Sequence, residues 1–112
     1  MTQTNSLTNS IVNFICNHRG YAFRINTMGV PRRVTGGKII YSPSKNKGIA
    51  DILCCIDSKF IAIEIKTGRD KQRPEQILFQ DNVEYCKGQY WIVKDFDDFL
   101  NHWNYFLKTK QN

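Results

Sequence analysis

A chain of 112 residues, 41% of them hydrophobic, has the size of one domain (1–112) built round a core that a few helices can cover. Sixteen Lys and Arg against ten Asp and Glu leave it at +6, which favours an anionic partner, nucleic acid first. No apolar run reaches the length of a membrane span and the polar start MTQTNSLTNS is neither signal nor transit peptide; Cys16, Cys54, Cys55 and Cys86 lack C-x-x-C spacing and read as small buried hydrophobes of a reducing compartment, so a soluble intracellular protein is expected.

In chain order, residues 1–5 read as disordered and a helix starts at Asn5 or Ser6, either of which is a good N-cap. Leu7, Ile11, Phe14 and Ile15 recur at helical spacing and make an apolar face for a sheet. His18 and Arg19 complement the dipole at the end of this helix, and Gly20 supplies its stop. Tyr21 to Asn26 alternates as a first strand, with Arg24 on its polar side; Tyr21 and Phe23, and Tyr41 further on, read as core in preference to base-stacking rings. TMGVPRRVTGGK reads as a loop or loose hairpin turn, Ile39 to Tyr41 as a short return strand, and SPSKNKG as a second basic loop. Arg24, Arg32, Arg33, Lys38, Lys45 and Lys47 are the candidate phosphate contacts; each taken singly is as well explained by solvated surface charge.

The next stretch, GIADILCCIDSKFIAIEIK from Gly48 to Lys66, organises the rest. Two apolar runs, Ile52 to Ile56 and Phe60 to Ile65, flank Asp57-Ser58-Lys59 and predict a tight β-hairpin. With the turn centred between Asp57 and Ser58, Phe60 faces Cys55, Ala62 faces Leu53 and Glu64 faces Asp51, the last pair with Cβ atoms about 4.5–5.5 Å apart. Lys66 falls on the same face about 6.5 Å further along. Two carboxylates opposed in a sheet repel and raise each other's pKa, a conflict that a divalent cation between them removes. Mg²⁺ suits one or two carboxylates with waters and phosphate oxygens, and a nearby lysine can orient a bound water or offset charge on a phosphate. The plainer alternative is a solvated strand rim on which Lys66 simply pairs with an acid.

After a polar loop, Pro74 opens a second helix on which Ile77, Leu78, Asp81, Val83, Tyr85 and Cys86 form an imperfect pattern, Gln76 and Gln80 share a face, and Gly88 supplies the cap. Tyr90 to Val93 is a short strand. Asp95 caps a last helix whose stripe of Phe96, Phe99, Leu100, Trp103 and Phe106 is core or a dimer surface, while His102 has no evident partner. The order α-β-β-β-β-α-β-α, with both faces of the central hairpin apolar, implies an α/β fold: a mixed sheet with helices on both faces.

Gly48-Ile49-Ala50-Asp51, Glu64-Ile65-Lys66, Gln76 on the following helix and Gly88 before the next strand resemble the VRR-NUC (virus-type replication-repair nuclease) domain of the PD-(D/E)XK superfamily, over nearly the whole chain. The resemblance implies a restriction-endonuclease-like core and metal-dependent phosphodiester hydrolysis. In it Asp51, Glu64 and the backbone carbonyl of Ile65 would bind Mg²⁺ or Mn²⁺, Lys66 would position or activate the attacking water, and Gln76 would support the site. Stand-alone members are similar to viral and phage homodimers that act on branched DNA such as Holliday junctions. Many relatives carry a metal-reaching Glu on the first helix; this one has no acid there, which implies one ion per site. The expectation is a Mg²⁺-dependent DNA endonuclease. A catalytically silent DNA-binding module on the same scaffold is the alternative, and an inhibitory phage protein directed at a host protein a third.

Overall fold

The computed structural model describes residues 3–25, 30–33, 37, 39–42 and 48–109, and of residues 30–33 and 39–42 the backbone alone. Its elements are α1 (Gln3–Cys16), β1 (Gly20–Arg24), β2 (Val30–Arg33), β3 (Ile39–Ser42), β4 (Ile52–Ile56), β5 (Lys59–Ile65), α2 (Pro74–Tyr85), β6 (Gln89–Val93) and α3 (Phe96–Thr109). The apolar hairpin is the middle of a four-stranded mixed sheet ordered β1-β4-β5-β6, antiparallel except for the β5–β6 pair. Asp57 and Ser58 adopt φ of 51° and 70°, the left-handed pair whose twist suits a two-residue hairpin. That turn fixes the register, and Cys55 faces Phe60 and Leu53 faces Ala62 as the spacing predicts.

The basic stretch after β1 departs from the loop expected of it. Val30–Arg33 is a strand, and the return strand β3 pairs with it in a separate two-stranded sheet, with Arg32 opposite Ile40. β1 pairs with β4 instead.

One face of the main sheet presents Ala22, Ile52, Cys54, Ile56, Ile61, Ile63, Ile65, Trp91 and Val93 to Ile11 and Ile15 of α1 and to Phe99, Trp103 and Phe106 of α3. The aromatic stripe of α3 is therefore core, with Phe99, Trp103 and Phe106 buried in it. Asp95 caps α3 as expected, its Oδ1 accepting the Asp98 N–H at 2.7 Å. His102 finds a partner in Trp91, on whose ring it stacks at 5.5 Å. The other face is covered by α2 through Ala62, Tyr90, Val83 and Phe79. Helices thus cover both faces, and no described helix is long and apolar enough to cross a membrane.

Several local expectations are corrected. α1 starts at Gln3, upstream of Asn5, so Asn5 lies within the helix, where its side chain accepts a hydrogen bond from Arg24 at 2.9 Å; residues 3–5 are therefore helical, and residues 1–2 lie outside the described residues. At the ends of α1 and α2 the left-handed residue is Arg19 (φ 76°) and Lys87 (φ 72°), not the glycine that follows. Gly20 and Gly88 are needed for room: a Cβ would stand 2.5 Å from Ile15 Cγ2 at the first and 3.1 Å from the Phe60 carbonyl oxygen at the second. Ile77, Leu78 and Tyr85 of α2 face solvent, since the face turned to the sheet is Gln76, Phe79 and Val83. Only Cys54 is the buried cysteine expected, its thiol pushed up to about 12 chiefly by burial; Cys16, Cys55 and Cys86 are exposed. Tyr21 and Phe23, read as core, are 68% and 43% exposed.

Candidate metal centre

The pairing carries one residue beyond β4, where the Ile25 N–H donates to the Asp51 carbonyl at 2.9 Å. On the face that α2 covers, successive rows therefore run Ile25-Asp51-Glu64-Ile92 and Phe23-Leu53-Ala62-Tyr90 across the four strands. Asp51 is fixed by its Oδ2, which accepts the Ile65 N–H at 2.8 Å. Opposite it, Glu64 is 3% exposed.

Glu64 Oε1 accepts a hydrogen bond from Gln76 Nε2 at 3.2 Å and lies 4.0 Å from Lys66 Nζ. Gln76 also caps its own helix, its Oε1 accepting the Arg73 N–H at 2.9 Å, so that side chain ties the start of α2 to the acid. Glu64 Oε2 is buried and has no hydrogen-bond partner among the described residues. Such an oxygen costs a few kcal/mol as an anion unless a proton or a cation meets it. Burial, and then the charge of Asp51 opposite it, push the Glu64 carboxyl from 4.5 to about 8, against the opposing pull of Lys66 and Arg73.

These residues fit a hard divalent cation. Two carboxylates at a strand end, one with a buried oxygen that no described residue claims, are the donors Mg²⁺ takes from protein. Among the described residues no three His, Cys, Asp or Glu gather, so the site is a pair of acids and not a cage. On the opposite face, Asn5 and Asn9 of α1 hold the Arg24 guanidinium at 2.9 and 3.1 Å.

A pH dependence follows. Glu64 would lose its proton near 4.5 when unfolded and near 8 when folded. The native state therefore holds more protons across that window, and stability falls as pH rises, by up to about 1.4 kcal/mol per pH unit. Melting temperatures in EDTA, taken as the difference between wild type and Glu64→Gln, are expected to drop from about pH 5 to pH 8, and Mg²⁺ or Mn²⁺ to restore stability at the upper end. A difference curve flat in pH and indifferent to metal would remove the cation from this site.

Gly48 sets the approach of α2. Its φ is +83°, and a Cβ there would stand 2.3 Å from the Glu75 carbonyl oxygen and 2.9 Å from the Gln76 nitrogen. The turn before Asp51 thus packs directly on the helix that brings Gln76.

Of the residues singled out from sequence, Asp51, Glu64, Lys66 and Gln76 come together, and Ile65 joins them through its main chain while its side chain enters the opposite core. Arg24 is not brought to the acids; it pairs with Ile52, on the α1 face, and is held by α1. Lys38, Lys45 and Lys47 lie outside the described residues, as do the side chains of Arg32 and Arg33. Residues 26–47 nevertheless contain these five cations and no acid, so nearly all of the +6 charge resides there. The segment follows Ile25, which is bonded to Asp51, and precedes Gly48, which packs against α2.

Sequence reading missed Arg73 and Tyr90. Tyr90 is buried, its hydroxyl pushed up to about 12 by burial and, more weakly, by the charges of Glu64 and Asp51, and it accepts a hydrogen bond from Gln72 Nε2 at 3.4 Å. Only the parallel β5–β6 register puts it on the acid face, and no local signal announces that register. No protein-family model matches the chain, and no curated protein matches it significantly.

Proposed function

We propose that the chain is a divalent-metal-dependent nuclease that hydrolyses phosphodiester bonds in DNA. The observation that carries this reading is the unpartnered, buried Oε2 of Glu64 beside a second carboxylate, with a lysine 4.0 Å from the same side chain. Asp51, Glu64 and the carbonyl of Ile65 would hold one Mg²⁺ or Mn²⁺. Such an ion, when bound, polarises a phosphate oxygen and lowers the pKa of its water.

The chain's own part is positioning and charge. The Ile65 N–H holds Asp51, Gln76 holds Glu64, and both acids are set before a substrate arrives. Lys66, 4.0 Å from Glu64, can hold the attacking water or offset charge building on the phosphate. The cationic segment 26–47, which begins and ends at the site, supports a polyanionic substrate. The likeness of the G-I-A-D and E-I-K motifs to VRR-NUC nucleases supports DNA, branched forms such as Holliday junctions among it, and a homodimer.

Plasmid and a labelled four-way junction incubated with the protein in Mn²⁺ and in EDTA test the reading. Cleavage is expected with the metal alone, and Lys66→Ala is expected to lose about 100-fold or more. Binding without cleavage in either condition would make the chain a silent DNA-binding module, and a Lys66→Ala variant cutting at the wild-type rate would overturn the assignment of that lysine.

A further inference from the structure

We propose that Tyr21 and Phe23 are a stacking platform for unpaired bases of the nucleic acid whose backbone reaches Asp51, Glu64 and Lys66; the proposal rests on the nuclease reading above and names the strand state of its substrate. On β1 these two rings point to the same face as the acids, Phe23 opposite Leu53 and Tyr21 opposite Cys55. The helix on that face packs on Ala62 of β5 and Tyr90 of β6, and Tyr21 and Phe23 are 68% and 43% exposed. Phe60, also 43% exposed, pairs with Cys55 from the other side and widens the patch. Exposed aromatic residues grouped in this way mark a contact surface.

Position and charge identify the occupant. Phe23 faces Leu53, two residues from Asp51 along β4, which puts its Cα one strand across and about 7–8 Å diagonally from that of Asp51. That is the reach of a nucleotide whose phosphate sits at the carboxylates. Tyr21 follows two residues on, with its ring centroid 5.7 Å from that of Phe23 and the planes tilted by 43°, so successive bases meet successive rings. The segment with five cations and no acid starts within three residues of Phe23. Aromatic faces followed along the chain by a cationic segment suit a single strand, since every base has a face to stack and every linkage a phosphate to neutralise. A paired base in a duplex offers no free face, so the platform selects single-stranded or locally opened DNA.

Binding of a fluorescein-labelled oligothymidylate and of a duplex of equal length, measured in EDTA at low salt on the full chain, tests this. Tyr21→Ala and Phe23→Ala are each expected to weaken binding of the single strand by about 5- to 150-fold, to leave duplex binding within about twofold, and to be rescued by Tyr21→Phe and Phe23→Tyr. Both side chains are exposed, and unchanged melting temperatures would verify that the variants fold. No single-strand binding by wild type, unchanged single-strand affinity in the alanine variants, or an equal loss on both ligands would overturn the platform. So would an alanine variant that turns a dimer into a monomer in sedimentation while keeping its single-strand affinity, which would make the rings a protein contact. If wild type fails to cut in Mn²⁺ yet binds through the rings, the nuclease reading falls and the platform stands; if it cuts and the alanine variants bind as wild type, the reverse holds.

Discussion

Glu64→Gln is expected to move stability and activity in opposite directions: in EDTA the variant melts higher than wild type at about pH 8, while its cleavage in Mn²⁺ falls to the level seen in EDTA. The stability gain comes from the environment of the acid. Glu64 is buried, meets Asp51, and leaves Oε2 without a donor, so its ionised form is opposed by desolvation and by like charge. An amide of the same shape removes the charge and turns one of the two positions into a donor. Relief of an unsatisfied buried group is worth about 1–3 kcal/mol, or about 4 °C or more in melting temperature for a domain of this size. Activity should vanish because the neutral amide is a poor ligand for a hard cation. A purely structural Glu64 would give the opposite result, a destabilised variant with cleavage intact. The stabilisation that Mn²⁺ gives wild type should also be missing from the variant, a readout that needs no substrate.

Gly48→Ala is expected to cost about 3 kcal/mol or more, a sum of the left-handed backbone and the contact of a new Cβ with the first turn of α2. Gly68→Ala provides the control. Gly68 also has a positive φ, +63°, but nothing lies within 4 Å of its would-be Cβ, so that variant bears the backbone strain alone, about 1–2 kcal/mol. The excess loss at Gly48 therefore measures how closely the turn before Asp51 packs on the backbone that carries Gln76. Denaturant midpoints for the two variants provide the comparison, and equal losses would mean that α2 gives way freely. Because Gln76 holds Glu64, Gly48→Ala should also reduce the stabilisation by Mn²⁺, whereas Gly68→Ala should not.

Much of the site was legible before any fold was known, because a two-residue turn is a local device. Asp57-Ser58 between two apolar runs fixes the register by counting, and the register brings Glu64 to Asp51 and Lys66 to the same face. Gln76 was legible only by resemblance; its own helix gives no hint, since the buried stripe of α2 begins with a polar residue and the apolar Ile77 and Leu78 beside it face water. The helix stops misled for a related reason. Glycine after a basic residue reads as a left-handed cap, yet Arg19 and Lys87 take that conformation and the glycines serve close packing against side chains distant in sequence.

By itself the sequence determined the hairpin, its register, the two helices that cover the larger core and the identity of the acids, all set by short-range periodicity and turn chemistry. Tertiary structure alone decided which face each helix covers, and with it which residues are wet. The alternation in β1 separates Tyr21 and Phe23 from Ala22 and Arg24 but cannot say that α1 and α3 would seal the alanine side while α2 lies over β5 and β6 and leaves the rings open. It decided, too, that Glu64 is buried deeply enough for one oxygen to go unpaired. Burial depends on what every other element does at once, and no pattern within a single strand encodes that.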